Sequence, residues 1–334
     1  MKGSPEALAS RTEQEPQPRR IVLQFAGQGV KPEDIISCAA QLGRIDNDRL
    51  TANIAIAKEV SDLPVGEFLT GLCNTPEFFQ NNALAQLAIH TLNVTAGDIA
   101  LRQLQQPDSQ SSITAVIGHS LGEVAAMDIA GVFPSRRESM EFVFARGTAM
   151  NEAHHKKPGN LYAIVDLGEE AVKELCLSLN TTIALENSPK GFVVAGELNI
   201  TDKLTAQATA RGARNVIALG LPGFHTEKYM SSAQAALRQW SEGRPYQTAR
   251  FPVFSNFDAK LATNGAALAN NHLNSVTSPV LWQATLAAVR QFAFGDNVIF
   301  ITLGPGGNLA AINRGNGIPL RQTMTLEQLR TAQA

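Results

Sequence analysis

The sequence predicts an α/β fold: a large subdomain built on a parallel sheet, interrupted by a small inserted subdomain with a sheet of its own. Three observations predict it. Strand-sized apolar runs alternate with helical stretches toward both ends of the chain, the pattern of parallel strands covered by helices. Between about residues 156 and 220 the rhythm changes to βαββαβ, the ferredoxin-like order, which can close a small sheet by itself. The chain has 334 residues, enough for one large unit with an insertion or for two small ones.

Residues 1–20 are polar, contain Pro, Gln and Glu, and lack an apolar core, which predicts a disordered leader and no secretory signal. Residues 21–25 read as a buried strand that runs into the glycine turn Ala26-Gly27-Gln28-Gly29. A long, mostly helical stretch follows to about Leu104, with Ala83, Leu87 and His90 at helical spacing. After a polar loop at 105–111 come a second buried strand at 112–117 and a helix at 121–130. Ser135 is placed to cap another helix running to about Glu152. In the insertion, strands at 161–167, 182–185, 192–195 and 215–219 alternate with helices at 169–179 and 201–210. The chain returns with a strand at 252–254, a helix at 282–292 and a strand at 298–303. The turn Gly304-Pro305-Gly306-Gly307 and a short helix from Asn308 follow. The implied division is a leader at 1–20, a large subdomain from 21–155 and 221–325, and a small one at 156–220.

Composition removes several function classes. A formal net charge of −2, with no basic run interleaved with aromatics, gives no reason to expect nucleic-acid binding. The longest apolar stretches are strand-sized, far short of the roughly 20 residues of a membrane helix. Cys38, Cys73 and Cys176 are widely spaced and odd in number. That argues against a disulfide framework and a zinc site, and it makes the cytoplasm the expected compartment. Gly304-Pro305-Gly306-Gly307 fits neither a dinucleotide fingerprint nor a P-loop, so no nucleotide cofactor and no metal is expected.

Gly118-His119-Ser120-Leu121-Gly122 fits G-x-S-x-G, directly after a buried strand and directly before a helix. A serine on such a bend points its hydroxyl out of the sheet, and small flanking residues let the backbone turn and a substrate approach. The helix starting there aims N–H groups and its positive end at a developing oxyanion. This placement makes the large subdomain α/β-hydrolase-like. The plainer alternative is a tight glycine turn whose serine only caps the helix.

A serine nucleophile needs a base within hydrogen-bond reach. His119 adjoins it on a sharp turn and reads as structural or pocket-lining, and His90 reads as a packed core residue. His154 and His155, beside Lys156 and Lys157, read as a solvated loop, and His272 in an Asn-rich segment reads as exposed. His225 stands out because it follows a strand and the turn Leu221-Pro222-Gly223-Phe224, at a strand's carboxyl end, where open α/β sheets keep their sites. Its plainer reading is a loop histidine without a role.

These motifs, with others in order along residues 21–314, resemble the malonyl-CoA:acyl-carrier-protein transacylases and the related acyltransferases of polyketide synthases. Phe25-Ala26-Gly27-Gln28-Gly29 is similar to the family's F-P-G-Q-G turn, and Gly118 to Glu123 read G-H-S-L-G-E. Arg146 lies in Phe144-Ala145-Arg146-Gly147. Asn187-Ser188-Pro189 with Val193-Val194-Ala195-Gly196, Phe224-His225, Ser278-Pro279-Val280-Leu281-Trp282 and Gly304-Pro305-Gly306 complete the set. Ala26 for proline, Val30-Lys31 after the turn and Asn308 depart from the pattern; they leave serine and histidine alone and leave open a substituted malonyl unit.

The resemblance implies an acyltransferase with a Ser120–His225 dyad, an acyl-Ser120 intermediate and backbone N–H groups of Gln28 and Leu121 as the oxyanion hole. The backbone carbonyl of Leu281 would orient the histidine. A malonyl-type group would pass by a ping-pong cycle from coenzyme A, or a donor carrier protein, to the phosphopantetheine thiol of an acyl carrier protein. Fatty-acid and polyketide pathways both fit, as does a monomer, with no cofactor beyond the CoA thioester. Arg146 lies beside a helix face formed by Met140, Val143, Phe144, Gly147 and Met150. Alone it reads as an arginine that snorkels to solvent; with the resemblance it implies bidentate capture of a free carboxylate. Phe224 and Leu121 then favour malonyl over methylmalonyl, and His119 lines the substrate site. The alternatives are a proofreading acyl-carrier-protein hydrolase on the same scaffold, or a non-catalytic carrier-protein docking scaffold.

Overall fold

Two sheets organise the chain. The computed structural model describes residues 19–72, 81–106, 111–293 and 298–333. The large subdomain opens with β1 (Arg19–Phe25), α1 (Pro32–Val60, interrupted at Asp46), α2 (Val65–Leu69) and α3 (Asn82–Leu104). It continues with β2 (Ser111–Gly118), α4 (Gly122–Ile129) and α5 (Arg136–Lys156). The small sheet is built by β3 (Asn160–Val165), α6 (Glu169–Leu179), β4 (Thr182–Ser188), β5 (Gly191–Gly196), α7 (Thr201–Ala210) and β6 (Asn215–Ala218). The chain returns through α8 (Glu227–Ser241), β7 (Val253–Phe254), β8 (Leu261–Ala262), α9 (Gly265–Ser275) and α10 (Trp282–Phe292). It ends with β9 (Val298–Leu303), α11 (Asn308–Gly315), β10 (Thr323–Thr325) and α12 (Leu326–Gln333).

The large sheet has the order β10-β9-β1-β2-β7-β8. All its neighbours are parallel except the antiparallel edge strand β8. β1 at its centre buries Val22, Leu23, Gln24 and Phe25 completely, as a strand covered on both faces must. Gln24 is tolerated there because its amide exchanges two hydrogen bonds with Asn313, at 3.0 and 2.8 Å. The small sheet is antiparallel in the order β4-β5-β3-β6, the ferredoxin-like arrangement, over a separate core around Tyr162, Phe192, Val172 and Leu204.

The two sheets are strapped together. Glu186 N–H donates to the Val280 carbonyl and Val280 N–H to that of Ala184, both at 3.0 Å. The Ser278–Trp282 stretch therefore acts as an extra strand segment against β4, and Trp282 beneath it is fully buried. Leu326 and Leu329 of α12 lie in the large core, past residue 325.

Some local expectations change. Arg19 and Arg20 belong to β1, whereas the rest of the expected leader, residues 1–18, and Cys73 lie outside the described residues. His154 and His155 end α5 rather than occupying a loop, where basic residues suit the negative end of a helix. Ser135 caps α5 as expected, its side chain accepting from Glu138 N–H. No helix among the described residues is long and apolar enough to cross a membrane.

Candidate active site

β2 ends at Gly118 and α4 begins at Gly122, so three residues turn the chain. Ser120 stands at the apex with φ of +51°, a left-handed conformation uncommon for a residue with a side chain. Glycine on both sides is a steric requirement. A Cβ on Gly118 would lie 1.9 Å from the Gly122 backbone, and one on Gly122 would lie 2.2 Å from the Phe25 carbonyl oxygen.

Ser120 Oγ lies 2.6 Å from His225 Nε2, bringing together groups 105 residues apart in sequence. His225 also has a left-handed backbone, with φ of +60°. Its Nδ1 lies 2.6 Å from the Ser275 carbonyl oxygen, which can only accept. Nδ1 therefore carries the proton, and Nε2 offers its lone pair to the serine hydroxyl. Burial, and then the charge of Arg146, pull the His225 pKa down to about 3, so the ring is neutral at pH 7.

The carbonyl expected to orient His225, that of Leu281, is engaged elsewhere. It accepts Thr285 N–H at 2.9 Å and the Thr285 hydroxyl at 2.8 Å, closing the first turn of α10. Ser275 takes its place because it ends α9, where carbonyls lack helical partners and the helix's negative end favours a developing imidazolium.

Arg146 is only 2% exposed, yet no carboxylate lies within 4.0 Å of it among the described residues. Its Nη1 donates to Gln86 Oε1 at 2.7 Å, while its buried Nε has no partner among the described residues. Desolvation lowers its pKa to about 10, opposed by the attraction of Glu123, so it is a cation at pH 7. Helical spacing put it beside the apolar face of α5; the structure buries it within that helix's core-facing side. A buried guanidinium with an Nε–H that finds no acceptor among the described residues would be stabilised by an anion beside it.

The remaining expected residues converge from separate elements. His119 Nε2 lies 2.8 Å from Asn187 Oδ1 of β4, and its ring packs edge-on to Trp282 at 5.1 Å. Burial lowers the His119 pKa, so it serves as a neutral hydrogen-bonding ring between the sheets. Phe224, beside His225, is buried. The turn bearing Gln28 presses on the serine bend, since a Cβ on Gly27 would meet the His119 carbonyl oxygen at 2.5 Å. The Gln28 side chain donates to Asn82 Oδ1 at 3.0 Å and accepts from Gln86 Nε2 at 3.1 Å, linking the turn to Arg146's partner. Leu121 is fully buried at the cap position of α4.

Several residues at the site escaped the sequence. His272, read as exposed, is fully buried with Nδ1 2.5 Å from Glu123 Oε2, because the segment is helical and His272 shares the inward face of α9 with Leu268, Ala269 and Ser275 while Asn270 faces out. Asn256 accepts Ser120 N–H at 2.7 Å and donates to the Gly118 carbonyl at 2.8 Å. Its position just past β7, at a strand's carboxyl end, was an available signal. Ser275 contributes only a backbone carbonyl, which leaves no mark in side-chain chemistry. Gln86 sits in a helix buried nearly all round, where a polar residue is itself a signal.

A hydroxyl held against a neutral imidazole, at a helix start and near an unsatisfied guanidinium, can attack a carbonyl and hold an acidic group attached to it. The comparisons point the same way. Residues 72–314 match the family model described as the acyl transferase domain. The Mycobacterium bovis malonyl CoA-acyl carrier protein transacylase is 29% identical over 309 residues, covering 90% of this chain and 95% of that protein. The crystal structure of the Mycobacterium tuberculosis enzyme abbreviated MCAT has a TM-score of 0.79 at 26% identity, covering 94% of this chain and all of that one. A malonyl-transacylase in complex with its type II polyketide acyl-carrier protein shares the fold, with a TM-score of 0.78 at 22% identity over 94% of this chain and 98% of that one.

Proposed function

The chain belongs to the acyl transferase domain family and is an acyltransferase; we propose that it moves a malonyl-type acyl group from a coenzyme A thioester to the phosphopantetheine thiol of an acyl carrier protein. In the first half-reaction Ser120 Oγ attacks the thioester carbonyl carbon while its proton passes to His225 Nε2. The carbonyl oxygen becomes an oxyanion, held by the backbone N–H groups of Gln28 and Leu121 and favoured by the start of α4. The C–S bond breaks, His225 returns the proton to the coenzyme A sulfur, and an acyl-Ser120 ester remains. In the second half the carrier thiol attacks that ester, with His225 as base and then acid, and Ser120 is regenerated. The Ser275 carbonyl keeps the imidazole in the required tautomer throughout.

Arg146 sets the acyl class. Its buried cation, free of any carboxylate partner within 4.0 Å among the described residues, supports capture of the free carboxylate of a malonyl group. Phe224, packed beside His225, would disfavour an α-substituent. The single observation that carries the reading is the 2.6 Å contact between Ser120 Oγ and a His225 ring kept neutral. The test is to mix the protein with malonyl-CoA and a phosphopantetheinylated carrier protein and follow the carrier's mass. Conversion to malonyl-carrier by wild type and none above background by Ser120→Ala is expected. Transfer unaffected by Ser120→Ala, or release of free malonate in place of transfer, would overturn it.

A further inference from the structure

We propose that the buried Glu123–His272 pair is the positioning device of the Ser120–His225 dyad, holding the serine through Asn256 and the histidine through Ser275. The inference rests on the dyad reading above and concerns how its geometry is kept. Glu123 is the last residue of the G-H-S-L-G-E run, and the acyl-transfer cycle gives it no role. It is 1% exposed, and a carboxylate taken that far from water must be compensated. The compensation runs toward the dyad on both sides.

On one side Glu123 Oε1 accepts the Asn256 backbone N–H at 2.7 Å. The Asn256 side chain then grips the bend at two points: Oδ1 accepts Ser120 N–H at 2.7 Å, and Nδ2 donates to the Gly118 carbonyl at 2.8 Å. Ser120 occupies a left-handed conformation that persists only when its surroundings over-determine it, and this clamp supplies that restraint. On the other side Glu123 Oε2 lies 2.5 Å from His272 Nδ1. The His272 carbonyl accepts the Ser275 hydroxyl at 2.8 Å, and the Ser275 carbonyl accepts His225 Nδ1–H at 2.6 Å. A single carboxylate thus ties together the start of α4, the end of β7 and the end of α9, the three places from which the dyad is held. Charge-assisted bonds are short and directional, which suits a device that must fix an angle rather than fill space.

Glu123 also faces the charge that the substrate is read by. It is the group whose attraction opposes the desolvation of Arg146, so the same carboxylate holds the dyad and favours the cationic guanidinium.

The test is the rate at which a fluorophosphonate probe labels Ser120, because that reaction needs the activated nucleophile and neither coenzyme A nor a carrier. Asn256→Ala and Ser275→Ala remove one link each and leave the Glu123–His272 pair intact, so both stay informative if Glu123→Gln does not fold. Each is expected to slow labelling about tenfold or more and to lower kcat for malonyl transfer similarly, with the KM for malonyl-CoA within about twofold. Ser275→Thr keeps the hydroxyl and is expected to stay within about threefold of wild type. Wild type that labels, beside folded Asn256→Ala and Ser275→Ala that label equally fast, would overturn the positioning role alone. Wild type that fails to label would overturn the dyad reading and this proposal with it.

Discussion

Replacing Arg146 with alanine separates recognition of the acyl group from the chemistry. The guanidinium is 2% exposed, donates one N–H to Gln86 and keeps a buried Nε without a partner among the described residues. A malonyl carboxylate would supply the missing acceptors through two charge-assisted bonds, each worth about 1.5–3 kcal/mol. Part of that offsets the desolvation of the carboxylate, which leaves about 3–4 kcal/mol, or roughly 140- to 700-fold in kcat/KM at about 1.4 kcal/mol per tenfold. An acetyl group has no carboxylate and forms neither bond, so acetyl transfer is expected to change by less than about threefold. The assay compares kcat/KM for malonyl-CoA and acetyl-CoA with one carrier protein, for wild type and Arg146→Ala. Equal losses for both donors would refute the carboxylate role and return Arg146 to packing. Because the change also opens a cavity and leaves Gln86 Oε1 without its donor, the comparison is made on alanine protein whose thermal melt shows it folded.

The low pKa of His225 makes a pH prediction with a definite sign. Its folded value of about 3 lies below the unfolded value of about 6.5, so the base form persists on acidification, and labelling of Ser120 should show no limb centred near pH 6.5; a limb there would contradict the burial argument. The unfolded chain binds that proton more readily, so stability is full above about pH 6.5 and falls by about 2 kcal/mol at pH 5 from His225 alone. His90, His119 and His272 are shifted in the same direction, so thermal melts should drop between pH 7.5 and 5, and a flat Tm would count against it. Gly122→Ala forces a Cβ to 2.2 Å from the Phe25 carbonyl oxygen and should cost about 3 kcal/mol or more in urea unfolding; near-wild-type stability would mean the bend is looser than described. Trp282→Ala should cost about 3–5 kcal/mol by leaving a cavity beneath the strap between the sheets, and it frees the His119 ring; a loss below about 1 kcal/mol would contradict that packing.

What the sequence disclosed follows from the kind of physics each feature uses. The helices at 201–210 and 282–292 and the strand at 298–303 were legible to the residue, because their periodicity or apolar runs stop at clear turn signals. The helices α8 and α9 were passed over because their apolar faces are thin: α8 buries only Tyr229, Met230, Ala233 and Leu237, and the second half of α9 is Asn-rich and reads as exposed. Ser120 was legible because its bend demands glycines at fixed offsets. The partner of His225 was not, since Ser275 acts through a carbonyl that every residue possesses. Glu123, Asn256 and His272 lie 16 to 149 residues apart, and only the tertiary fold makes one network of them.

The central claim is that Ser120 itself carries the acyl group between the two thiols. Peptide mapping of protein mixed with malonyl-CoA and quenched in acid tests it most directly. One malonylated peptide is expected, the one containing Ser120, and it loses its label when a carrier thiol is added before the quench. A label on any other residue, or none while transfer proceeds, would contradict it.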